Sequence, residues 1–158
     1  MGTDRGSADG RRIKVLFLCT GNACRSQMAE GWARALKSDR IESYSAGVAP
    51  CFVHPLAARV MKEAGVDIGA QYSKHVDELD GIAFDYVVTL CDYADSKCPV
   101  FPGQGKRVHR PIEDPIHARG TEAEVLAKFR SVRNRIRALV EKMPENLEDP
   151  TVSTGKER

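Results

Sequence analysis

One short segment near the N-terminus combines residue types that can bind an oxyanion. Residues 19–26 read Cys-Thr-Gly-Asn-Ala-Cys-Arg-Ser, directly after the apolar run 13–18 and directly before a stretch with helical periodicity. Gly21 and Asn22 tolerate a positive φ, so successive amide N–H groups can point towards one anion. The amino end of the following helix and the planar guanidinium of Arg25 add positive charge that suits a tetrahedral anion.

The same segment supplies a nucleophile. Cys19 ends the apolar run, and the positive surroundings of the loop favour its thiolate near neutral pH. A thiolate beside a bound oxyanion can attack the central atom of that anion. The alternative is a strand end that carries a cysteine and an arginine by chance, because the bare Cys-x5-Arg pattern is common. The predicted oxyanion-binding residues are Thr20, Gly21, Asn22, Ala23, Cys24, Arg25 and Ser26.

Two further cysteines follow a later apolar run. Cys91 ends the run 85–91, and Cys98 lies seven residues beyond it. In a regular helix, seven residues would separate the two Cα atoms by about 10 Å, whereas a disulfide needs ~4.4–6.8 Å. Asp92 and Asp95 favour a poorly helical segment, so pairing of Cys91 with Cys98 would be a conformational switch. The alternative is one buried strand-end thiol and one incidental loop thiol.

Alternating strands and helices are needed to position these groups. The hydrophobic pattern predicts strands at 13–18, 41–46, 85–91 and 106–109 and helices starting at Ser26, at 54–64 and around 125–140. Ser26 is the expected cap of the first helix, with Glu30 in its first turn. Such alternation predicts a parallel α/β sheet, which binds ligands beyond the carboxyl ends of its strands. The chemistry is therefore expected after Leu18, after Leu90 and near Pro111.

Length, hydrophobicity and charge restrict the class of protein to which the chain can belong. The chain has 158 residues, 42% of them hydrophobic, and a formal net charge of +2. We expect one domain at 13–143 between flexible tails at 1–12 and 144–158. No apolar run approaches the ~20 residues of a membrane span, and the small net charge does not indicate a nucleic-acid partner. The arginines of the last helix are interpreted as a solvated face.

The cysteine count indicates a reducing compartment. Five cysteines are present, and the polar first twelve residues contain no secretory signal. We therefore expect a cytoplasmic protein with free thiols rather than a disulfide framework. Zinc-ligand spacing is absent, so no metal is expected. Cys24 is interpreted as a packed thiol, and Cys51 has no assigned role.

Residues 19–32, Cys-Thr-Gly-Asn-Ala-Cys-Arg-Ser-Gln-Met-Ala-Glu-Gly-Trp, resemble the signature of the thioredoxin-coupled arsenate reductases. These enzymes share the fold of the low-molecular-weight protein tyrosine phosphatases. The similarity continues through 44–47, 87–91, 98–99 and 114–115 and covers roughly residues 13–142. It implies a single-domain four-stranded parallel sheet with helices on both faces.

The resemblance also implies a reaction, the reduction of arsenate to arsenite in arsenical detoxification. Cys19 would attack arsenic, Asp114 would donate a proton, and Cys91 would attack Cys19 to release arsenite. Cys98 would then resolve the bridge, leaving a Cys91–Cys98 disulfide for thioredoxin to reduce. Phosphate and sulfate are expected competitors of arsenate, the protein is expected to be a monomer, and no cofactor is implied. The implied catalytic residues are Cys19, Arg25, Cys91, Cys98 and Asp114.

The chief alternative is a tyrosine phosphatase that uses the same nucleophile, arginine and aspartate. Phosphatase relatives usually carry proline where this chain has Gln27, and tyrosine near the positions of Ile116 and His117. They also lack the pair Cys91 and Cys98. A redox sensor or oxyanion-binding module without turnover is a further alternative, which nothing in the sequence favours.

Some relatives hold a potassium ion at positions that match Asn22, Glu30 and Ser45. A further acidic ligand in those relatives aligns with Lys74 of this chain. We therefore expect the ammonium group of Lys74 to take the place of that cation.

Overall fold

Four short strands form one parallel sheet in the order β2-β1-β3-β4. The computed structural model describes residues 11–97 and 105–148, so Cys98 and most of both predicted tails lie outside the described residues. All three strand pairings are parallel. The strands are β1 Ile13–Cys19, β2 Ile41–Gly47, β3 Tyr86–Thr89 and β4 Lys106–His109.

Helices cover both faces of this sheet, which confirms the predicted fold class. Val15 and Phe17 of β1 point into the larger core, beneath the first, second and last α-helices, while Leu16 and Leu18 point into the smaller core. Both sets are fully buried because a parallel strand is covered on each side. The α-helices are α1 Arg25–Lys37, α2 Pro55–Glu63, α3 Asp92–Lys97 and α4 Glu122–Glu141. Short 3-10 helices span Val76–Leu79, Pro115–His117 and Glu145–Glu148.

The prediction that Ser26 caps the first helix is wrong. The helix begins at Arg25, its N-cap position is Cys24, and no side chain caps it. Glu30 accordingly lies beyond the first turn, which contains no acid. The Ser26 hydroxyl is instead engaged by neighbours within the loop, described below.

The segment after Cys91 also differs from the prediction, because Asp92–Lys97 forms the short helix α3. Aspartates in a first turn interact favourably with the helix dipole. The Asp95 side chain also accepts a hydrogen bond from Thr89 Oγ1 at 3.0 Å. Tertiary contacts therefore stabilise a helix that residue propensities alone do not favour. The preceding strand is correspondingly shorter than predicted and ends at Thr89.

The domain extends beyond the predicted boundary at residue 143. Glu145–Glu148 forms a 3-10 helix, and Leu147 is only 1% exposed in the larger core. Asn146 fixes this segment by donating from Nδ2 to Leu139 O at 3.1 Å. Residues 144–148 thus belong to the folded domain rather than to a flexible tail.

The arginines of α4 are paired with carboxylates rather than forming an open basic patch. Glu63 accepts from both Arg130 and Arg133, at 2.7 and 3.0 Å. Arg137 pairs with Glu141 one helical turn away, at 3.0 Å. None of the helices in the described part of the chain has the length and apolar character needed to cross a membrane.

Candidate active site

The loop between β1 and α1 lies at the carboxyl edge of the sheet. At β1 the order of the strands changes direction, because β2 lies on one side of β1 and β3 on the other. Such a switch point is the usual ligand site of an open α/β sheet. Asn22 has a φ of 49°, a left-handed conformation that few non-glycine residues adopt. Gly47 of β2 allows this turn, because a Cβ there would lie 2.7 Å from Thr20 O and 2.9 Å from Asn22 N.

The carbonyl groups of this loop are tied to the loop that follows β2. Ala49 N donates to Thr20 O at 2.8 Å, and Cys51 N donates to Gly21 O at 3.1 Å. His54 N donates in the same way to Ala23 O at 3.0 Å. Because these carbonyls are held from outside, the loop amides remain free to face an anion.

A second brace comes from residues 71–74. Ser73 Oγ donates to Gly21 O at 3.0 Å, and Lys74 N donates to Asn22 Oδ1 at 2.9 Å. The fully buried Gln27 donates from Nε2 to Asn22 O at 3.1 Å and to Tyr72 O at 3.0 Å. The strained loop is thus held in one shape by side chains on both sides of it.

Cys19 lies at the base of the loop, 2% exposed, with its Sγ 2.9 Å from Ser26 Oγ. Asn22 Nδ2 donates to the same Ser26 oxygen at 2.7 Å. Because Ser26 Oγ already accepts this bond, its own proton is available to the Cys19 sulfur. The Cys19 sulfur is thereby held at the amino end of α1, at the base of the loop.

Arg25 is 6% exposed, and its guanidinium is held in a fixed orientation. Nη1 donates to Ile112 O at 3.0 Å and approaches Leu90 O at 3.4 Å. Nη2 donates to Asp114 Oδ2 at 3.1 Å. A planar group fixed in this way presents its donors to an oxyanion with little loss of side-chain entropy.

Asp114 is the acidic residue of the site and pairs with Arg25. Its second oxygen, Oδ1, accepts from Ile116 N at 3.0 Å and so caps the 3-10 helix Pro115–His117. The side chain of Asp114 is about one quarter exposed, so the carboxyl group can reach both Arg25 and a bound ligand. A carboxyl group in this position can supply a proton to a departing oxygen.

These groups surround one cavity of about 360 Å³. The loop residues other than Asn22 and Ser26 line it, whereas those two are fully buried behind the loop. The lining residues are Cys19, Thr20, Gly21, Ala23, Cys24, Arg25, Ala49, Cys51, Asp114, Ile116 and His117.

Cys91 lies next to this cavity at the carboxyl end of β3. Its Sγ is 3.1 Å from Thr20 Oγ1 and accepts from Ala94 N at 3.4 Å. The side chain is partly buried against both hydrophobic cores. The structure therefore brings a second thiol to Thr20, the residue after Cys19, while Cys98 lies outside the described residues.

Cys24 differs chemically from the other thiols of the site. It is 4% exposed, and burial raises the pKa of its thiol far above the ordinary value, an effect to which the Asp114 carboxylate adds. Cys51 is exposed on the rim of the same cavity. The two cysteines that the sequence left without a redox role are thus one inert core thiol and one accessible rim thiol.

This difference predicts selective alkylation. Brief treatment with iodoacetamide at pH 8 should modify Cys51 and leave Cys24 unmodified, because the attacking species is the thiolate. Peptide mass spectrometry measures the extent at each residue. Both should react once the protein is unfolded in guanidinium, and equal labelling of the folded protein would contradict the assignment.

Lys74 occupies the place where a monovalent cation would be expected to lie. Its Nζ donates to Ser45 O and to Tyr72 O, both at 3.0 Å, and Ser45 Oγ donates to Glu30 Oε1 at 2.5 Å. Burial lowers the pKa of Lys74, with Glu30 acting in the opposite direction. A bound potassium ion does not fit beside this ammonium group. Within residues 11–97 and 105–148, no group of three His, Cys, Asp or Glu side chains is placed to hold a metal ion.

Several lining and bracing residues were missed by the sequence analysis. Cys51 and Ala49 follow β2, and the rule that placed the site at strand carboxyl ends also applies to that strand. Ile116 and His117 stand near the tyrosine position of the phosphatases, but no signal in the sequence indicates that they line the cavity. Ser73 belongs to an irregular segment without a motif, so no sequence signal indicated its contact with the loop.

Comparison with known proteins agrees with this geometry. The family model of the low molecular weight phosphotyrosine protein phosphatases matches residues 14–152. A relative from Halalkalibacterium halodurans, described as an arsenate reductase, is 47% identical over 122 residues, covering 77% of this chain and 88% of that protein.

Solved structures show the same arrangement of the chain. An arsenate reductase in the phosphate-binding state superposes with a TM-score of 0.66 at 32% identity, over 86% of this chain and 99% of that one. A low molecular weight protein tyrosine phosphatase from T. tengcongensis gives a TM-score of 0.66 at 28% identity, over 85% and 99% of the two chains.

Proposed function

The chain belongs to the low molecular weight phosphotyrosine protein phosphatase family, and we propose that within this family it is an arsenate reductase that works through three cysteines. The observation that supports the proposal is the contact of Cys91 Sγ with Thr20 Oγ1, because Thr20 directly follows Cys19 in the chain. Hydrolysis of a phosphoryl-cysteine needs no second thiol, whereas reduction of a cysteine-bound oxyanion does. The 47% identical relative described as an arsenate reductase supports the same activity.

The first proposed step forms a bond between Cys19 sulfur and arsenic. Arsenate is held by the loop amides and by the guanidinium of Arg25, which stabilise the negative charge of the transition state. Asp114, fixed 3.1 Å from Arg25 Nη2, donates a proton to the departing hydroxyl, which leaves as water. Arsenic remains in the +5 state at the end of this step.

The second proposed step reduces arsenic. The sulfur of Cys91, which accepts from Ala94 N at 3.4 Å and lies 3.1 Å from Thr20 Oγ1, attacks the sulfur of Cys19 as a thiolate. A Cys19–Cys91 disulfide forms, and the electron pair of the sulfur–arsenic bond passes to arsenic. Arsenite leaves, and the two electrons have come from the two thiols.

The third proposed step restores the nucleophile. Cys98 attacks Cys91, Cys19 leaves as a thiolate, and a Cys91–Cys98 disulfide remains. Six helical residues lie between these two cysteines. Since seven residues of α-helix span about 10 Å and a disulfide needs ~4.4–6.8 Å between Cα atoms, α3 must unwind or fold back in this step.

The proposed electron donor is thioredoxin, because an intramolecular disulfide is reduced most directly by a protein with a dithiol. The cycle requires free thiols at its start, so the proposed location is the reducing cytoplasm and the proposed active species is a monomer. Phosphate and sulfate are proposed competitors, since they share the tetrahedral oxyanion shape recognised by the loop.

The testing experiment follows arsenate-dependent oxidation of NADPH in the presence of thioredoxin and thioredoxin reductase. Wild-type protein should turn over repeatedly, whereas Cys91→Ser and Cys98→Ser should lose multiple turnover and keep weak hydrolysis of an aryl phosphate. Cys51→Ser is the matched control, because this thiol lies on the rim and has no place in the relay. Normal cycling of the Cys98→Ser variant would show that the three-cysteine relay is wrong.

The second candidate function is tyrosine phosphatase, which the shared cradle and the family match favour. It predicts rapid hydrolysis of phosphotyrosine peptides with no arsenate-dependent oxidation of NADPH. The exposed rim residues Ile116 and His117 stand where the phosphatases tend to offer an aromatic wall, which argues for a smaller substrate. Failure to turn over either substrate would instead favour an oxyanion-binding module.

A further inference from the structure

The four carbonyl groups of residues 20–23 are held in two different ways. Three of them accept from backbone amides of the loop that follows β2. The described donor to the fourth, Asn22 O, is instead a side chain, with Gln27 Nε2 at 3.1 Å. Asn22 is also the residue with the left-handed φ of 49°. The strained residue of the loop therefore depends on one amide side chain for the position of its carbonyl group.

The side chain of Gln27 is fully buried, and all of its polar groups have partners. Nε2 donates to Asn22 O at 3.1 Å and to Tyr72 O at 3.0 Å, and Oε1 accepts from Gln71 Nε2 at 2.7 Å. Both acceptors of Nε2 are backbone oxygens, so the partners fix the orientation of the amide. The reversed amide would place its oxygen against two carbonyl oxygens.

A second amide extends this chain of hydrogen bonds to the surface. Gln71 Nε2 also donates to Gln27 O at 3.1 Å, and Gln71 Oε1 accepts from Nη1 of the exposed Arg34. A guanidinium can only donate and a backbone oxygen can only accept, so the two ends of the chain set one direction for every bond. The chain runs from Arg34 through Gln71 and Gln27 to Asn22, and it contains no group that titrates near neutral pH.

We propose that Gln27 is a positioning residue for oxyanion binding, which holds Asn22 in the left-handed conformation so that the loop amides face the anion. Gln27 is not among the residues that line the cavity, so its effect on affinity passes through the backbone of the loop. Gln71 acts one step further out, by holding the amide of Gln27 in its orientation. The inference rests on the proposed function only in that the loop between β1 and α1 binds the oxyanion.

Loss of the Gln27 amide should weaken anion binding. Gln27→Met keeps the length of the side chain but removes the donor to Asn22 O and to Tyr72 O. The carbonyl of Asn22 would then turn towards another donor, and the loop would adopt conformations whose amides no longer converge on the anion. A buried carbonyl without its donor has a cost that corresponds to about tenfold in an equilibrium constant, so we expect phosphate to bind about tenfold more weakly.

The test measures phosphate binding by isothermal titration calorimetry in the full-length wild-type protein and in two variants. The Kd for phosphate should rise about tenfold in Gln27→Met and about threefold in Gln71→Met, which leaves both donors of Gln27 in place. The double variant should lose no more affinity than Gln27→Met alone, because Gln71 acts through Gln27.

A second readout reports the loop without any ligand. The NMR order parameter of the Asn22 amide should fall from about 0.85 in the wild type to below about 0.6 in Gln27→Met. This measurement separates the two proposals, since it does not depend on what the cavity binds. If the wild-type protein bound no phosphate, the proposed function would fail, and the order parameter of Asn22 would still decide whether Gln27 holds the loop.

Asn146→Ala is the control for a general loss of stability. It also removes a side-chain amide that donates to a backbone oxygen, since Asn146 Nδ2 donates to Leu139 O at 3.1 Å, on the C-terminal segment. Its midpoint of thermal unfolding should fall, whereas its Kd for phosphate should stay within about twofold of the wild type. Equal weakening of phosphate binding by Asn146→Ala and Gln27→Met would overturn the role of Gln27.

Unchanged phosphate binding and an unchanged Asn22 order parameter in Gln27→Met would overturn it as well. If Gln27→Met does not fold, Gln71→Met decides the question, because Gln71 is only partly buried at the outer end of the chain. Wild-type affinity together with a wild-type order parameter at Asn22 in that variant would count against the proposal.

Discussion

Cys19→Ser is expected to abolish arsenate reduction and aryl phosphate hydrolysis together, with a loss on the order of 10⁴-fold or more. The sulfur of Cys19 is the only atom at the base of the cavity that both proposed reactions use as a nucleophile. A serine hydroxyl in its place would have to lose a proton, and the residue within hydrogen-bond reach, Ser26, is not a base. The loss should therefore appear in the first turnover and not only in recycling.

Rapid-quench measurement of the arsenic bound covalently per enzyme separates this variant from the relay variant Cys91→Ser. Cys91→Ser retains its nucleophile and should still form the arsenic adduct, whereas Cys19→Ser should not. Because the loop amides and Arg25 are unchanged, phosphate binding by calorimetry should remain of the same order as in the wild type. Residual reduction by Cys19→Ser above the uncatalysed rate would assign the nucleophile to another thiol.

Arg25→Lys is expected to lower kcat/KM for arsenate by about 10²–10³, although the charge is conserved. The guanidinium is held by three acceptors, Leu90 O, Ile112 O and Asp114 Oδ2, and an ammonium group cannot satisfy them all while also facing the anion. The orientation of Asp114 would loosen as well, because its Oδ2 loses the donor at 3.1 Å. The loss should therefore fall on kcat as well as on KM.

Steady-state kinetics with arsenate and with an aryl phosphate provide the measurement. Arg59→Lys is a suitable control, since Arg59 lies on α2, is half exposed and pairs only with Glu122, at 3.6 Å, among the contacts described. Its kcat/KM should match the wild type. If Arg25→Lys retained full activity, oxyanion binding would depend on the loop amides alone.

The sheet was predictable because β1 and β3 are short apolar runs, and because clear helix signals follow β1 and β2. Pro55 begins α2 and Gly65, with a φ of 91°, follows its end, which are residues typical of a helix start and a helix end. The helix α3 was not predictable, since Asp92 and Asp95 are poor helix formers whose partners, His109 and Thr89, lie on neighbouring strands. Tertiary hydrogen bonds decide that segment, and local propensity does not record them.

The candidate site also contains both residues that the sequence predicts and residues that it does not. Cys19 and Arg25 belong to one continuous motif whose chemistry follows from adjacent residues. Lys74 N donates to the side chain of Asn22, and Gln27 donates to the backbone oxygens of Asn22 and Tyr72. These partners are set by how the segment 71–74 crosses the loop. Cys51 reaches the cavity because β2 lies next to β1 in the sheet. Such contacts between irregular segments have no periodic pattern in the sequence.

The hydrogen bonds from the β2 loop to the carbonyls of Thr20, Gly21 and Ala23 have a consequence for how this fold can diversify. All three are donated by backbone amides, so they do not depend on which side chains the β2 loop carries. The residues around the cavity, such as Cys51, can therefore be substituted while the geometry of the loop between β1 and α1 stays constant. Natural selection can thus alter which molecules enter the cavity separately from the chemistry performed at its base.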